Sequence, residues 1–356
     1  MKVALITDTH AGARNDSEIF AEYQDTFYTD VFFPTLKHYG IKTIFHLGDF
    51  FERRKFSNHE TLFRIKKSFL EPLVKNDIEM HLLVGNHDVA HKNSNRVNGA
   101  DLFLTQYKSH ITFYTEPTSV CFPDRDVHFI PWINSENYYE AKQFIDSATP
   151  SLMLGHFDIS GFRMHQDGNP SDHGLPMDWF RDQQLVLSGH FHTQSKISNV
   201  QYIGNPFELT WSDFKDPRGF WIIDLETLEM EFIQNPDRMF FKIVYDDTKD
   251  VDYVKMDFSK LRNKFLKVIV KSKKDPYKFD LFIEKLYNNN PFEVQIIESS
   301  NVCDSEMSEE EIESNAKSTD QIIRSYCDSM SAVDADVRNK VKDLLVSIYL
   351  EAMSEA

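Results

Sequence analysis

The feature that most restricts how this chain can fold is a repeated pairing of a short apolar run with a polar motif that begins where the run ends. Val3-Ala4-Leu5-Ile6 stops at Thr7-Asp8-Thr9-His10, Thr43–Leu47 at Gly48-Asp49, and His81–Val84 at Gly85-Asn86-His87-Asp88. Ser151–Leu154 stops at Gly155-His156, and Leu185–Leu187 at Ser188-Gly189-His190-Phe191-His192. These runs alternate with helical stretches over residues 1–233, the pattern of an α/β protein with sheet layers at its centre. Polar side chains set repeatedly just after buried strands converge on one sheet edge, where α/β proteins carry their ligands.

At 356 residues the chain exceeds one ordinary domain. With 41% hydrophobic and 13% aromatic residues, it belongs to the folded rather than the disordered class. No window has the eighteen or so apolar residues of a membrane span, and Met1-Lys2 runs into Val3 without a signal-peptide pattern, so a soluble, unexported, cytoplasmic protein is expected. Cys121, Cys303 and Cys327 lie far apart without a CxxC, which predicts reduced thiols and neither a disulfide framework nor a zinc-thiolate site.

A second, small α+β unit is expected over 234–298, with strands at Phe265–Val270 and Phe292–Ile297 and a helix at Phe279–Tyr287. Residues 299–320 read as an acidic linker around Glu309-Glu310-Glu311. Residues 321–356 read as a helical segment: Val337, Val341, Leu344, Leu345 and Ile348 share one face, Asp334 or Asp336 can cap it, and Ile322, Ile323 and Tyr326 suit a preceding helix. The net charge of −17 argues at first against nucleic acid, but it is unevenly spread. Residues 301–356 hold 13 acidic against 5 basic side chains, whereas residues 255–278 hold 9 basic, Lys271, Lys273 and Lys274 among them, against 2 acidic. That basic stretch is either a solvated face or a phosphate-contacting patch.

The side chains at the motif ends define the chemistry. Asp8, His10, Asp49, Asn86, His156, His190 and His192 offer oxygen and imidazole donors without thiolate, a set suited to two divalent ions, manganese first with magnesium or iron as alternatives, rather than a structural zinc. Two such ions about 3.5–4 Å apart activate a water and neutralise the charge that builds up in phosphodiester hydrolysis. Each motif alone is weak, and their combination in this order is specific. His46, inside a strand run, reads as a core residue, Tyr202–Pro206 as a structural turn, and His165 and His173 as loop residues that either line the substrate approach or do nothing there.

The ordered set Asp8-x-His10, Gly48-Asp49, Gly85-Asn86-His87-Asp88, Gly155-His156 and Gly189-His190-x-His192 resembles the calcineurin-like metallophosphoesterase superfamily. Within it, the spacing and downstream units are similar to the SbcD-type nuclease subunits, in the compact form of T-even-like phages. The resemblance implies a metallophosphoesterase β-sandwich flanked by helices, a small α+β capping domain and a C-terminal helical segment that grips an SMC-like ABC-type ATPase. It implies a homodimer acting on DNA as exo- and endonuclease. It further implies one metal on Asp8, His10, Asp49 and His192 and another on Asp49, Asn86, His156 and His190, with Asp49 bridging. His87 would be the acid for the leaving oxygen. Glu52 departs from the pattern, since some cellular members have His there and related phosphatases Asp. Its carboxylate either holds the His87 ring, and so acts as part of the catalytic group, or pairs on the surface with Arg53 or Arg54. The rival readings are a metallophosphatase or cyclic-nucleotide phosphodiesterase that does not act on DNA, and a binding subunit with a dead metal site.

Overall fold

The computed structural model describes residues 1–164, 170–298, 341, 342, 344 and 345. Its strands in chain order are β1 (Lys2–Ile6), β2 (Thr43–His46), β3 (Glu79–Leu83), β4 (Val89–His91), β5 (Ser94–Asn98), β6 (Ile111–Tyr114), β7 (Thr118–Cys121), β8 (Asp126–Ile130) and β9 (Leu152–His156). There follow β10 (Leu185–Gly189), β11 (Ser195–Ile197), β12 (Val200–Tyr202), β13 (Gly219–Asp224), β14 (Met230–Gln234), β15 (Phe240–Asp246), β16 (Phe265–Ser272) and β17 (Glu293–Glu298).

Two six-stranded sheets, in the orders β14-β13-β1-β2-β3-β6 and β11-β12-β10-β9-β8-β7, make up the first unit, with β4 and β5 as a separate hairpin. In one sheet β1, β2, β3 and β6 run parallel; in the other β8, β9, β10 and β12 do. Parallel strands covered on both faces must be apolar throughout, which accounts for runs such as Val3–Ile6. Between the sheets Val3, Leu5 and Phe45 pack with Phe129, Leu154 and Leu187. On the far side of the second sheet, Met153 and Val186 meet Ile145 of the helix Tyr138–Ser147. On the far side of the first, Phe220 of β13 stacks edge-on with Phe27 and Phe32 of a helix that runs from Glu18 through a π-turn at Tyr28–Phe32 to Tyr39. Each fully buried Phe contributes roughly 1.5–3 kcal/mol of transfer free energy. The result is a mixed α/β sandwich with helices on both outer faces.

The chain divides into two compact units, Met1–Met239 and Phe240–Ala356. Residues 235–239 bond within the first: the Asn235 amide donates to Pro206 O at 3.0 Å, and the Met239 N–H to Glu208 Oε2 at 2.8 Å. The second unit has a parallel sheet, β15-β16-β17, and the helix Pro276–Tyr287, with Tyr245, Leu266, Val268, Phe279, Phe282 and Leu286 in its core. That helix starts three residues before the sequence expectation, because Asp275 accepts from the Lys278 N–H and Pro276 occupies the first helical position. The acidic linker 299–320 lies outside the described residues, as does the segment 321–356 save Val341, Lys342, Leu344 and Leu345, which are helical with both leucines exposed.

Candidate metal centre

The loops after β1, β2, β3, β9 and β10 bring the motif side chains to one edge of the sandwich. Asp8, His10 and His192 place ligand atoms within 4.8 Å of one another, as do Asp49, His156 and His190, and a third group comprises His10, Glu52 and His87. Asn86 joins the second group, with its Oδ1 2.9 Å from His156 Nε2. All seven side chains proposed as ligands from sequence therefore meet.

The backbone that holds them is strained. Asp8, His10, Asp49 and His190 have φ of 50°, 46°, 53° and 85°, a left-handed region that costs side-chain-bearing residues roughly 1–2 kcal/mol each. Bonds between loops hold it there, with Asp8 N–H donating to Gly48 O at 3.0 Å and His10 N–H to Asp49 O at 3.1 Å. Two motif glycines allow the close approach. A Cβ on Gly85 would lie 2.3 Å from Asp49 Oδ1, and one on Gly48, itself at φ 102°, would lie 2.5 Å from His156 Nδ1.

The donor set fits a bound cation on an internal criterion. His156 Nδ1–H donates to Leu47 O at 2.7 Å, which leaves Nε2 facing two oxygens, Asn86 Oδ1 at 2.9 Å and Asp49 Oδ2 at 3.2 Å. Three lone-pair atoms around one point repel unless something positive lies among them, a proton or a metal ion. Burial opposes a charged His156, yet the field and contact of Asp49 carry it up to about 9. Burial likewise opposes charge on His10, and there the Glu52 contact wins, again raising the group to about 9. Burial and the neighbouring His156 drive His190 down to about 3, and burial with His10 lowers His192. Burial raises Asp8, whereas in Asp49 the effect of burial is outweighed by His156, which holds the carboxyl below the usual range.

Glu52 does neither of the things anticipated from sequence. Its carboxylate lies 2.8 Å from His10 Nδ1, and it is the Glu52 backbone carbonyl that accepts from His87 Nδ1–H at 2.7 Å. Arg53 pairs instead with Asp16 at 3.0 Å, and Arg54 donates to Asn86 O at 2.7 Å. The side chain turns inward, and its contact with His10 favours the charged imidazole against the cost of burial. The His87 N–H also donates to Asp49 Oδ1 at 2.7 Å, so its backbone is tied to the candidate metal centre while its ring lies with His10 and Glu52.

Three supporting groups escaped the sequence reading. Asp88, buried, accepts from Phe51 N at 3.0 Å and Gly85 N at 2.9 Å and so clamps the Asn86-His87 turn; burial and Asp49 raise it to about 7. Arg218, buried, pairs with Asp213 and Asp216 at 2.8 Å each and donates to the His192 carbonyl and Asn205 Oδ1. Trp132 sits with its ring centroid 5.3 Å from that of His190. The Asp of Gly-Asn-His-Asp was visible as a motif member; nothing local marked the other two. His46 is buried with Nε2 3.0 Å from Thr9 Oγ1, a satisfied core residue, and His173 is exposed beside Asp172. His165 lies outside the described residues.

The calcineurin-like phosphoesterase family model matches residues 1–216. Exonuclease subunit 1 of Enterobacteria phage T4 is 30% identical over 352 residues, 99% of each chain. Among solved structures, an archaeal phosphodiesterase is similar at 12% identity with a TM-score of 0.35, over 66% of this chain and 100% of its own. A dimetal phosphatase from Danio rerio is similar at 12% identity with a TM-score of 0.42, over 67% and 97%. The chain belongs to the calcineurin-like phosphoesterase family, and it is an enzyme with candidate sites for divalent metals. Among the described residues, no helix is long and apolar enough to cross a membrane.

Proposed function

We propose that this chain is a metal-dependent DNA nuclease, exo- and endonucleolytic, that works as the nuclease subunit of an SbcCD-type complex with an SMC-like ABC-type ATPase. The observation that carries the reading is the meeting of seven oxygen and imidazole donors with His87 beside them, in a chain aligned end to end with a phage exonuclease subunit. Asp8, His10 and His192 would hold one ion and Asn86, His156 and His190 the other, with Asp49 between them. Two divalent ions, manganese by preference, supply an activated water and neutralise charge on the phosphorane-like transition state. Leu47 O and the Glu52 carboxylate orient His156 and His10, so that each ring presents Nε2 inward. His87 keeps its Nδ1 proton on the Glu52 carbonyl and can donate a second proton from Nε2 to the leaving oxygen. Glu52 is thus a positioning residue for His10 through its side chain and for His87 through its backbone.

The basic stretch 255–278 is the proposed DNA contact of the second unit, and residues 321–356 the proposed ATPase-binding segment. A homodimer is proposed from the resemblance to SbcD-type subunits, and Phe63 and Leu102, exposed at 56% and 65% around one cavity, would suit its interface. The host bacterial cytoplasm is the proposed compartment.

Purified protein with manganese should degrade DNA and lose that activity to a chelator. His87→Ala should lower turnover by roughly 10²–10⁴ with metal content intact. Activity that survives exhaustive chelation would defeat the mechanism, and metal lost together with activity in His87→Ala would make His87 a ligand.

A further inference from the structure

Beside the His156 and His190 end of the cluster lies a cavity of about 300 Å³ that the hydrolysis itself does not use. Trp132, Ile133, Tyr138, Asp158 and Leu175 line it, and His156 closes its inner end. No Lys or Arg is among its described lining residues, and apart from His156, which is engaged by Asp49 at 3.2 Å, the charged group on its wall is an acid, Asp158. Away from His156 the wall offers a phosphate no cation and one carboxylate, so the group that fits this outer part is neutral. The aromatic rings of Trp132, Tyr138 and Phe157 and the aliphatic walls ask for a flat apolar face, and Asp158 asks for a hydrogen-bond donor on its edge.

The position narrows the choice. The Trp132 ring stands 5.3 Å from His190 and 6.1 Å from His156 by centroid, and its indole N–H points to Lys92 O at 3.4 Å, which anchors the ring. Farther out, Tyr138 lies 5.2 Å from Trp179 and 5.6 Å from Tyr139, so aromatic rings continue from the metal cluster to the surface. A group bound here lies within the reach of one nucleotide from a phosphate that would be held at the His156 and His190 end.

We infer that this cavity receives an unstacked nucleobase of the nucleotide whose phosphate is being cleaved, held between Trp132 and Tyr138. The inference rests on the nuclease reading and adds what it lacks: the strand must be unpaired at the point of cleavage, and an intact base is part of what is recognised. Aromatic platforms stack any base, so sequence preference is weak, with Asp158 favouring bases that carry an exocyclic amine.

The test compares kcat/KM in manganese for three single strands: one intact, one ending in a tetrahydrofuran abasic residue at its 3′ end, one at its 5′ end. The wild type should cleave one of the abasic strands roughly 5- to 150-fold less efficiently than the intact strand, the range for one lost stacking contact. Tyr138→Ala and Trp132→Ala should shrink that ratio to within about threefold, through KM, whereas Tyr138→Phe keeps it. Tyr138 is 40% exposed, so its replacement answers even where Trp132→Ala disturbs the ligand rings. Equal cleavage of all three strands by the wild type, or an undiminished ratio in Tyr138→Ala, overturns the inference and leaves the nuclease reading intact. A wild type that hydrolyses an aryl phosphodiester but no DNA overturns both.

Discussion

The metal edge of the first unit and the turns of the second meet the same backbone requirement with different residues. Among the described residues of the second unit the left-handed positions are Asn263 and Asn290, at φ 57° and 51°. Asparagine is among the few residues that visit this region at little cost, so local preference and fold agree there. At the candidate metal centre the same conformation is imposed on Asp8, His10, Asp49 and His190, residues proposed to hold the ions. A bonded network has to hold these loops against their own preference, and strain of this kind concentrates at sites of function.

The comparison is broken most severely at Asp49. Asp49→Asn keeps a side chain that accepts the left-handed backbone while removing the charge proposed to serve both ions. Metal-dependent hydrolysis should fall by roughly 10³-fold or more, since several kcal/mol of charge stabilisation is lost and each 1.36 is tenfold. Asp49→Ala should lose as much activity and, in addition, unfold more easily than the Asn variant by about 1 kcal/mol, the left-handed penalty. Anomalous scattering with two full-occupancy metals in Asp49→Asn would refute the bridging role. Equal stability of the two variants would refute the strain.

A smaller effect is expected at Gly85, which has no counterpart in the second unit. Its added Cβ would meet not only Asp49 Oδ1 but the Asp49 backbone N at 2.4 Å, an atom that cannot swing aside. Gly85→Ala should cost about 1–3 kcal/mol as an overpacked site. It should also lower turnover by about 10²-fold, because a displacement near 1 Å at a positioned group has that effect. Wild-type kinetics in this variant would mean that the loop carrying Asp49 yields freely, contrary to the network described.

How much of this was legible in the sequence follows from where each determinant lies. The clustering of the proposed ligands was legible because each sits two to five residues past an apolar run and parallel strands send such positions to a common edge. The resemblance to a known family then distributed them between two metals. Glu52 was misread because the choice between His87, Arg53 and His10 depends on how the loop after β2 faces the loop after β1, which no local pattern encodes. Arg218 is 26 residues from His192 and touches it through a carbonyl, a bond to which side-chain identity at His192 is blind. Trp132 follows β8, whose run Asp126–Ile130 mixes Asp, Val and His and did not read as a strand. In the second unit β15 was missed for a related reason, as Lys242 interrupts its apolar run, while the helix and β16 follow from periodicity and were found.

The mildest prediction examines the second unit itself. Asn263 is exposed, its N–H donates to Asn290 O at 3.0 Å, and its side chain has no part in the proposed metal centre. Asn263→Gly removes the residual left-handed cost but adds freedom to the unfolded chain, two terms of about 0.5–1 kcal/mol that oppose each other. Asn263→Val keeps the backbone bond and imposes a β-branched side chain on the same φ, which should cost about 1–2 kcal/mol. Denaturant unfolding should therefore rank the native protein and the Gly variant together, within about 0.5 kcal/mol, and the Val variant clearly below. Hydrolysis of a small aryl phosphodiester per folded molecule should be the same in all three. If Val is tolerated as well as Gly, the left-handed turns of the second unit are soft, and the contrast with the metal edge reflects rigidity rather than residue choice. If instead Val lowers hydrolysis per folded molecule, the two units are coupled in a way that neither the turn nor the ligand network accounts for.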